Sequence, residues 1–267
     1  MPPQFFQLLT PPALHFFAAT LAPSQPEDPG LSLWCTVPES VRPLGCIIVL
    51  PEVFGVNAWI RSVCARLADA GFAAVALPLF ARTAPNLELA YDTQSLEVGR
   101  SHRDAVTTAN VLADLDRTIA WMASTAPFAG LPVGALGFCF GGLLAWWAAT
   151  HPGVRTVVSA YGARVSEPAP GGGMPTLSAL VQAQAHLLCL LGEDDPLIPR
   201  EEQQQIRQAL DEHQSLRLRR ELVIYPGAGH GFLCDQRADF RSAAAEHAWC
   251  QIIDFLASTL GACSADL

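Results

Sequence analysis

From residue 31 onward, short apolar runs alternate with segments whose apolar residues recur at helical spacing. The runs are LSLWCTV (31–37), CIIVLP (46–51), AAVALPL (73–79), VGALGF (133–138), RTVVSAY (155–161), HLLCLL (186–191) and ELVIY (221–225). They are nearly continuous in apolar side chains rather than alternating, as strands of a sheet covered on both faces must be. Helical patterns lie between them, over 57–70, roughly 105–124, 140–150, 200–213 and 239–260. In VLADLDRTIAWM, Val111, Leu112, Leu115, Ile119 and Met122 form one stripe, and Ala248, Ile252, Phe255 and Leu260 form another. Repeated strand–helix alternation predicts an α/β chain built on a doubly wound, mostly parallel sheet. In such sheets, sites form just beyond the carboxyl ends of the strands. Chemically capable residues are therefore expected at strand ends.

Composition narrows the partners. The chain has 267 residues, 51% hydrophobic and 15% charged, enough apolar material for one large core in a single domain over 31–262. A net charge of −9 without any basic block argues against nucleic acid and against anionic membrane surfaces. Residues 1–30 read as an N-terminal extension that packs on the domain or frays; prolines interrupt its apolar stretch, which is too short to span a bilayer. The eight cysteines are scattered and contain no Cys-x-x-Cys pair, so free thiols in a reducing cytoplasm are expected. No phosphate loop, dinucleotide fingerprint or internal repeat is present.

The chemistry concentrates in GFCFGG, Gly137 to Gly142. Cys139 directly follows the run 133–138 and precedes a helical segment, with glycine two places before it and two places after it. A sharp strand-to-helix turn that presents a nucleophile brings those two places so close that only small residues fit. A thiolate there also gains from the helix dipole and from free backbone N–H groups. Such a nucleophile needs a base, and the base needs an orienting acid. His230, in the glycine-rich segment YPGAGHGF past the last strand, is the candidate base; His151 and His247 are duller candidates. Asp194 and Asp195, in GEDDPLIP past another strand, are barely distinguished as the acid by their residues alone. Glu52 ends the run CIIVLPE on the same presumed edge, where a carboxylate beside Cys139 would disfavour the thiolate until substrate arrives.

GFCFGG, GEDDPLIP, YPGAGHGF and the long segment LPEVFGVNAWIRSVCARLADAGFAAVALPLFAR together resemble the dienelactone hydrolase family, a cysteine branch of the α/β hydrolases. The resemblance runs from about residue 31 to 260. It implies an α/β-hydrolase fold, with Cys139 as nucleophile, Asp195 as triad acid, His230 as base and Glu52 as the carboxylate that contacts the nucleophile. It further implies an oxyanion hole from the backbone N–H groups of Val53 and Phe140, and Arg82 as a binder of substrate carboxylate. The second arginine of that clamp is expected at position 234, which here is cysteine; Arg237 is near but out of register. The expected activity is hydrolysis of a small ester, lactone or thioester, of carboxymethylenebutenolidase type or a relative, by a monomer or homodimer needing no metal or organic cofactor. A redox-sensing or non-catalytic thiol protein on the same fold is the rival. It would need neither an oxyanion hole nor an oriented histidine.

Overall fold

The computed structural model describes residues 13–23, 28–39 and 41–261. Among these residues eight strands form one sheet: β1 (Leu14–Leu21), β2 (Leu31–Pro38), β3 (Cys46–Leu50), β4 (Ala73–Ala76), β5 (Val133–Phe138), β6 (Val154–Ala160), β7 (His186–Gly192) and β8 (Arg220–Tyr225). Their spatial order is β1-β2-β4-β3-β5-β6-β7-β8. β1 and β2 run antiparallel to their neighbours, and every pairing from β4 to β8 is parallel. The fold is the doubly wound α/β arrangement that the apolar runs predict. Within residues 1–30, Leu14–Leu21 runs as the edge strand paired to β2, while positions 1–12 and 24–27 lie outside the described residues.

Among the described residues six α-helices lie between or after the strands: α1 (Ala58–Asp69), α2 (Thr93–Arg103), α3 (Thr108–Ser124), α4 (Phe140–Ala148), α5 (Arg200–Glu212) and α6 (Ser242–Leu260). On one face Trp59 of α1 and Trp249 of α6 both pack on Phe138, at ring-centroid separations of 4.8 and 6.3 Å. On the other face lies α4, apolar nearly all round and almost wholly buried, as a helix in the interior must be. Its Trp146 indole donates to Ser159 on β6, and that hydroxyl donates to the Gly142 carbonyl, which satisfies the polar groups at this tight contact. No helix among the described residues is long and apolar enough to cross a membrane.

The periodicity does not reveal α2. Its only buried residue is Gly99, so it carries no apolar stripe. It is set instead by its start, where Asp92 accepts from the Ser95 N–H, and by contact: a Cβ at Gly99 would lie 2.3 Å from the Val53 carbonyl oxygen. α2 therefore rests against the segment after β3. A short 3₁₀ helix at Thr176–Val181 is likewise absent from the sequence pattern.

Strand order reverses between β3 and β5. From β3 the chain moves outward to β4, then returns across β3 to place β5 on its other side and continues to β8. The crevice at such a switch point lies beyond the carboxyl ends of these two strands. Glu52 follows β3 and Cys139 follows β5.

Candidate active site

Cys139 sits between β5 and α4 with φ 53° and ψ −113°, a conformation that costs a non-glycine residue on the order of 1–3 kcal/mol. The close packing around it explains the glycines. A Cβ at Gly137 would lie 2.0 Å from the Gly141 carbonyl oxygen, and one at Gly141 would lie 2.0 Å from the Leu50 carbonyl oxygen. The turn is tied at both sides, by Cys139 N–H to the Ala160 carbonyl (3.0 Å) and Gly141 N–H to the Pro51 carbonyl (3.1 Å). The second bond fixes the N-terminus of α4 against the end of β3, so Phe140 and Val53 line the same cavity as Cys139.

His230 is buried, and its Nδ1 lies 2.8 Å from Asp195 Oδ2. The other oxygen of Asp195 accepts from the Leu197 N–H at 2.8 Å. Both carboxylate oxygens are therefore committed. Asp194, left open by the sequence, is exposed and takes no part; its N–H serves the Ala228 carbonyl. The His230 ring packs edge-on against Tyr161, 5.2 Å between centroids, while Nε2 is buried without a hydrogen-bond partner. Burial works against a charge on this imidazole, yet the Cys139 thiolate and the Asp195 carboxylate outweigh it and push the pKa up to about 10. The charged partners thus favour the imidazolium over the neutral ring. In Cys139→Ala, burial would face Asp195 alone. An NMR titration of His230 is expected to show a clearly lower pKa in that variant than in the wild type; equal values would remove the thiolate as a cause.

Glu52 is fully buried, accepting from Tyr91 Oη at 2.8 Å and from Arg237 Nη1 at 3.0 Å. Burial would lower the Arg237 pKa, but Glu52 more than compensates and the guanidinium is held firmly charged. Arg237 reaches Glu52 because a turn, with its N–H on the Cys234 carbonyl at 3.1 Å, brings the chain back over the site. Cys234 is buried, and burial first, then Glu52, pushes its thiol up to about 12. Arg82 departs from expectation. Its guanidinium is bidentate to Asp114 at 2.5 and 3.1 Å, and it does not line the cavity at Cys139. Buried Asp114 lies on α3 beneath it, so the arginine is taken by the fold. His151 pairs with Asp116 and His247 with Tyr225, both apart from this cluster.

The cavity over Cys139 measures about 270 Å³. Sequence reasoning missed Tyr91, which holds Glu52, and the Arg103–Asp104 and Arg164–Glu167 pairs on the cavity wall. Among the described residues no three His, Cys, Asp or Glu side chains converge as metal ligands, and the seven described cysteines are free thiols.

The dienelactone hydrolase family model matches residues 33–260. The chain belongs to the dienelactone hydrolase family. It is 38% identical over 212 residues to a candidate carboxymethylenebutenolidase of Synechocystis sp., covering 79% of this chain and 85% of that one. A candidate carboxymethylenebutenolidase of Escherichia coli K12 is 33% identical over 221 residues, covering 81% and 78%. Among solved structures, a candidate dienelactone hydrolase from Klebsiella pneumoniae superposes with a TM-score of 0.80 at 30% identity, covering 92% of this chain and 99% of that one. This dienelactone hydrolase family member is accordingly a hydrolase with the α/β-hydrolase fold. Arg237, out of register with position 234, is paired here with Glu52.

Proposed function

We propose that this protein hydrolyses a small ester, lactone or thioester through an acyl-enzyme on Cys139, with His230 as base and acid and Asp195 as the orienting carboxylate. The observation that carries the reading is the hydrogen bond from buried His230 to Asp195, with the unpartnered Nε2 left for the thiol and the leaving group. The Cys139 sulfur attacks the substrate carbonyl as a thiolate, its proton having passed to His230. The developing oxyanion is met by the N–H groups of Val53 and Phe140, two donors on the cavity wall. As the tetrahedral adduct collapses, the bond to the leaving group breaks (carbon–oxygen in an ester or lactone, carbon–sulfur in a thioester), and the imidazolium gives its proton to the departing alkoxide or thiolate. Water then attacks the thioester while His230 takes its proton, and the acid product leaves with the thiol restored. Asp195 holds Nδ1–H throughout, so that Nε2 is the nitrogen that exchanges protons.

In this reading Glu52 does not disfavour the thiolate at the resting site, as a free carboxylate there would. Paired with Arg237 and Tyr91, its charge is balanced, and the thiolate of Cys139 does not face an uncompensated carboxylate. Intact-mass spectrometry during turnover of a slow ester is expected to show one acyl group on the wild type and none on Cys139→Ala. Turnover without any adduct, and undiminished by that substitution, would end the proposal.

A further inference from the structure

We infer that the site takes substrates whose acyl portion is neutral and apolar, in preference to substrates that carry a second carboxylate. The inference rests on the hydrolase reading above and names the substrate class for the same cavity. The sixteen basic residues of the chain are all arginine, since the sequence contains no lysine. Cations at the cavity wall are therefore arginines, and two are present, Arg103 and Arg164.

Each already has its own acid. Arg103 Nε and Nη2 lie 2.9 and 2.6 Å from Asp104 Oδ1. Arg164 Nε and Nη2 lie 2.8 and 2.6 Å from Glu167 Oε2. Asp104 and Glu167 also line the cavity, so the wall carries two positive and two negative groups that cancel. The other nearby guanidiniums are committed elsewhere, Arg237 to Glu52 and Arg82 to buried Asp114. Position 234, where a further arginine would complete a carboxylate clamp, holds a buried thiol.

A substrate carboxylate entering here meets no net positive charge. To gain a guanidinium it must replace an acid tethered in the same chain one or three residues away, whose effective concentration is in the millimolar range or above. Exposed pairs of this kind are individually weak, but the competitor is always present. The remaining wall favours hydrocarbon: Val53, Val106, Phe140, Leu143, Pro168 and Leu197 face the cavity. Each methylene buried against such a wall is worth roughly a fourfold gain in kcat/KM until the space is filled.

The test compares two p-nitrophenyl esters of matched shape at low ionic strength, where surface charge counts most. One carries the neutral 4-methylpentanoyl group and the other the hydrogen succinyl group, in which a carboxylate replaces the isopropyl end. The wild type is expected to favour the neutral ester by at least about tenfold in kcat/KM. In Asp104→Asn/Glu167→Gln the two arginines lose their partners, and the ratio should shift toward the succinyl ester by about tenfold or more. Both acids are exposed, at 65% and 49% of side-chain area, so the substitutions leave the core untouched. The wild-type ratio alone decides the point should the double variant fold poorly. A wild type that prefers the succinyl ester, or a ratio unmoved in a folded double variant, overturns the inference while leaving the hydrolase reading intact. No turnover of either ester, with Cys139 unacylated, overturns both.

Discussion

Replacing Cys139 by alanine is expected to lower kcat for an activated ester by roughly 10⁶-fold, the scale seen when the nucleophile of a triad is removed. The size follows from what the position supplies. Its backbone is held at φ 53°, and the turn on either side is fastened to β6 and to the end of β3. The rest of the fold thus holds one side chain at the switch point, on a cavity shared with Phe140 and Val53, whose N–H groups are the donors proposed above. Alanine leaves the backbone and those donors in place, so the residual rate over water measures binding and oxyanion stabilisation alone. The check is steady-state kinetics beside a thermal melt, since alanine at the same φ carries the same strain and the fold should persist. A variant that folds and keeps more than about a hundredth of the wild-type kcat would show that the thiol is not the nucleophile.

Asp195→Asn is expected to cost about 10⁴-fold in kcat, while Asp194→Asn should change it little. The structure gives the reason for the first. Asp195 Oδ1 accepts from the Leu197 N–H at 2.8 Å, so an asparagine must keep its carbonyl oxygen there. Its amide NH₂ then faces His230 Nδ1, where Oδ2 now lies at 2.8 Å. Nδ1 is forced to accept, the ring proton moves to Nε2, and Nε2 can no longer take a proton from the thiol. Loss of the carboxylate also leaves burial less opposed, so the imidazole pKa falls below its value of about 10 in the wild type. Asp194, being exposed, has no such partner. Kinetics of the two variants and the His230 titration together test the assignment. A larger loss in Asp194→Asn would move the orienting role to that residue.

The two carboxylates illustrate where sequence reasoning stops. Asp194 and Asp195 are adjacent and of one chemical type, and only the direction of a turn puts one in the core and the other in water. The same limit applies to arginines. Arg82 stands in a segment that matches the family, yet a neighbour 32 residues away in sequence, Asp114 on α3, claims its guanidinium. Arg237, out of register by sequence, reaches Glu52 across the site because the chain turns back between Cys234 and Arg237. Long charged side chains pair with whatever the fold brings within reach, and spacing along the chain does not record it.

What the sequence determined by itself is the sheet from β2 onward, the turn and the family; the edge strand β1 lay in what read as an extension. Continuous apolar runs need cover on both faces and so impose a doubly wound layer order. The glycines at 137 and 141 are required by backbone contacts that no larger residue permits, so Cys139 is legible as the presented residue before any coordinates. What only the tertiary structure decided lies in polar segments. α2 has no apolar stripe and is placed by its cap and its contact with Val53, yet it brings Arg103 to the cavity wall, with Asp104 following at its end. Arg164 enters through a left-handed backbone at φ 67°, which the residue type does not announce. Burial is a property of many residues at once and leaves a period in the sequence; the pairing of charges is decided by a few ångströms between segments far apart in the chain, and leaves none.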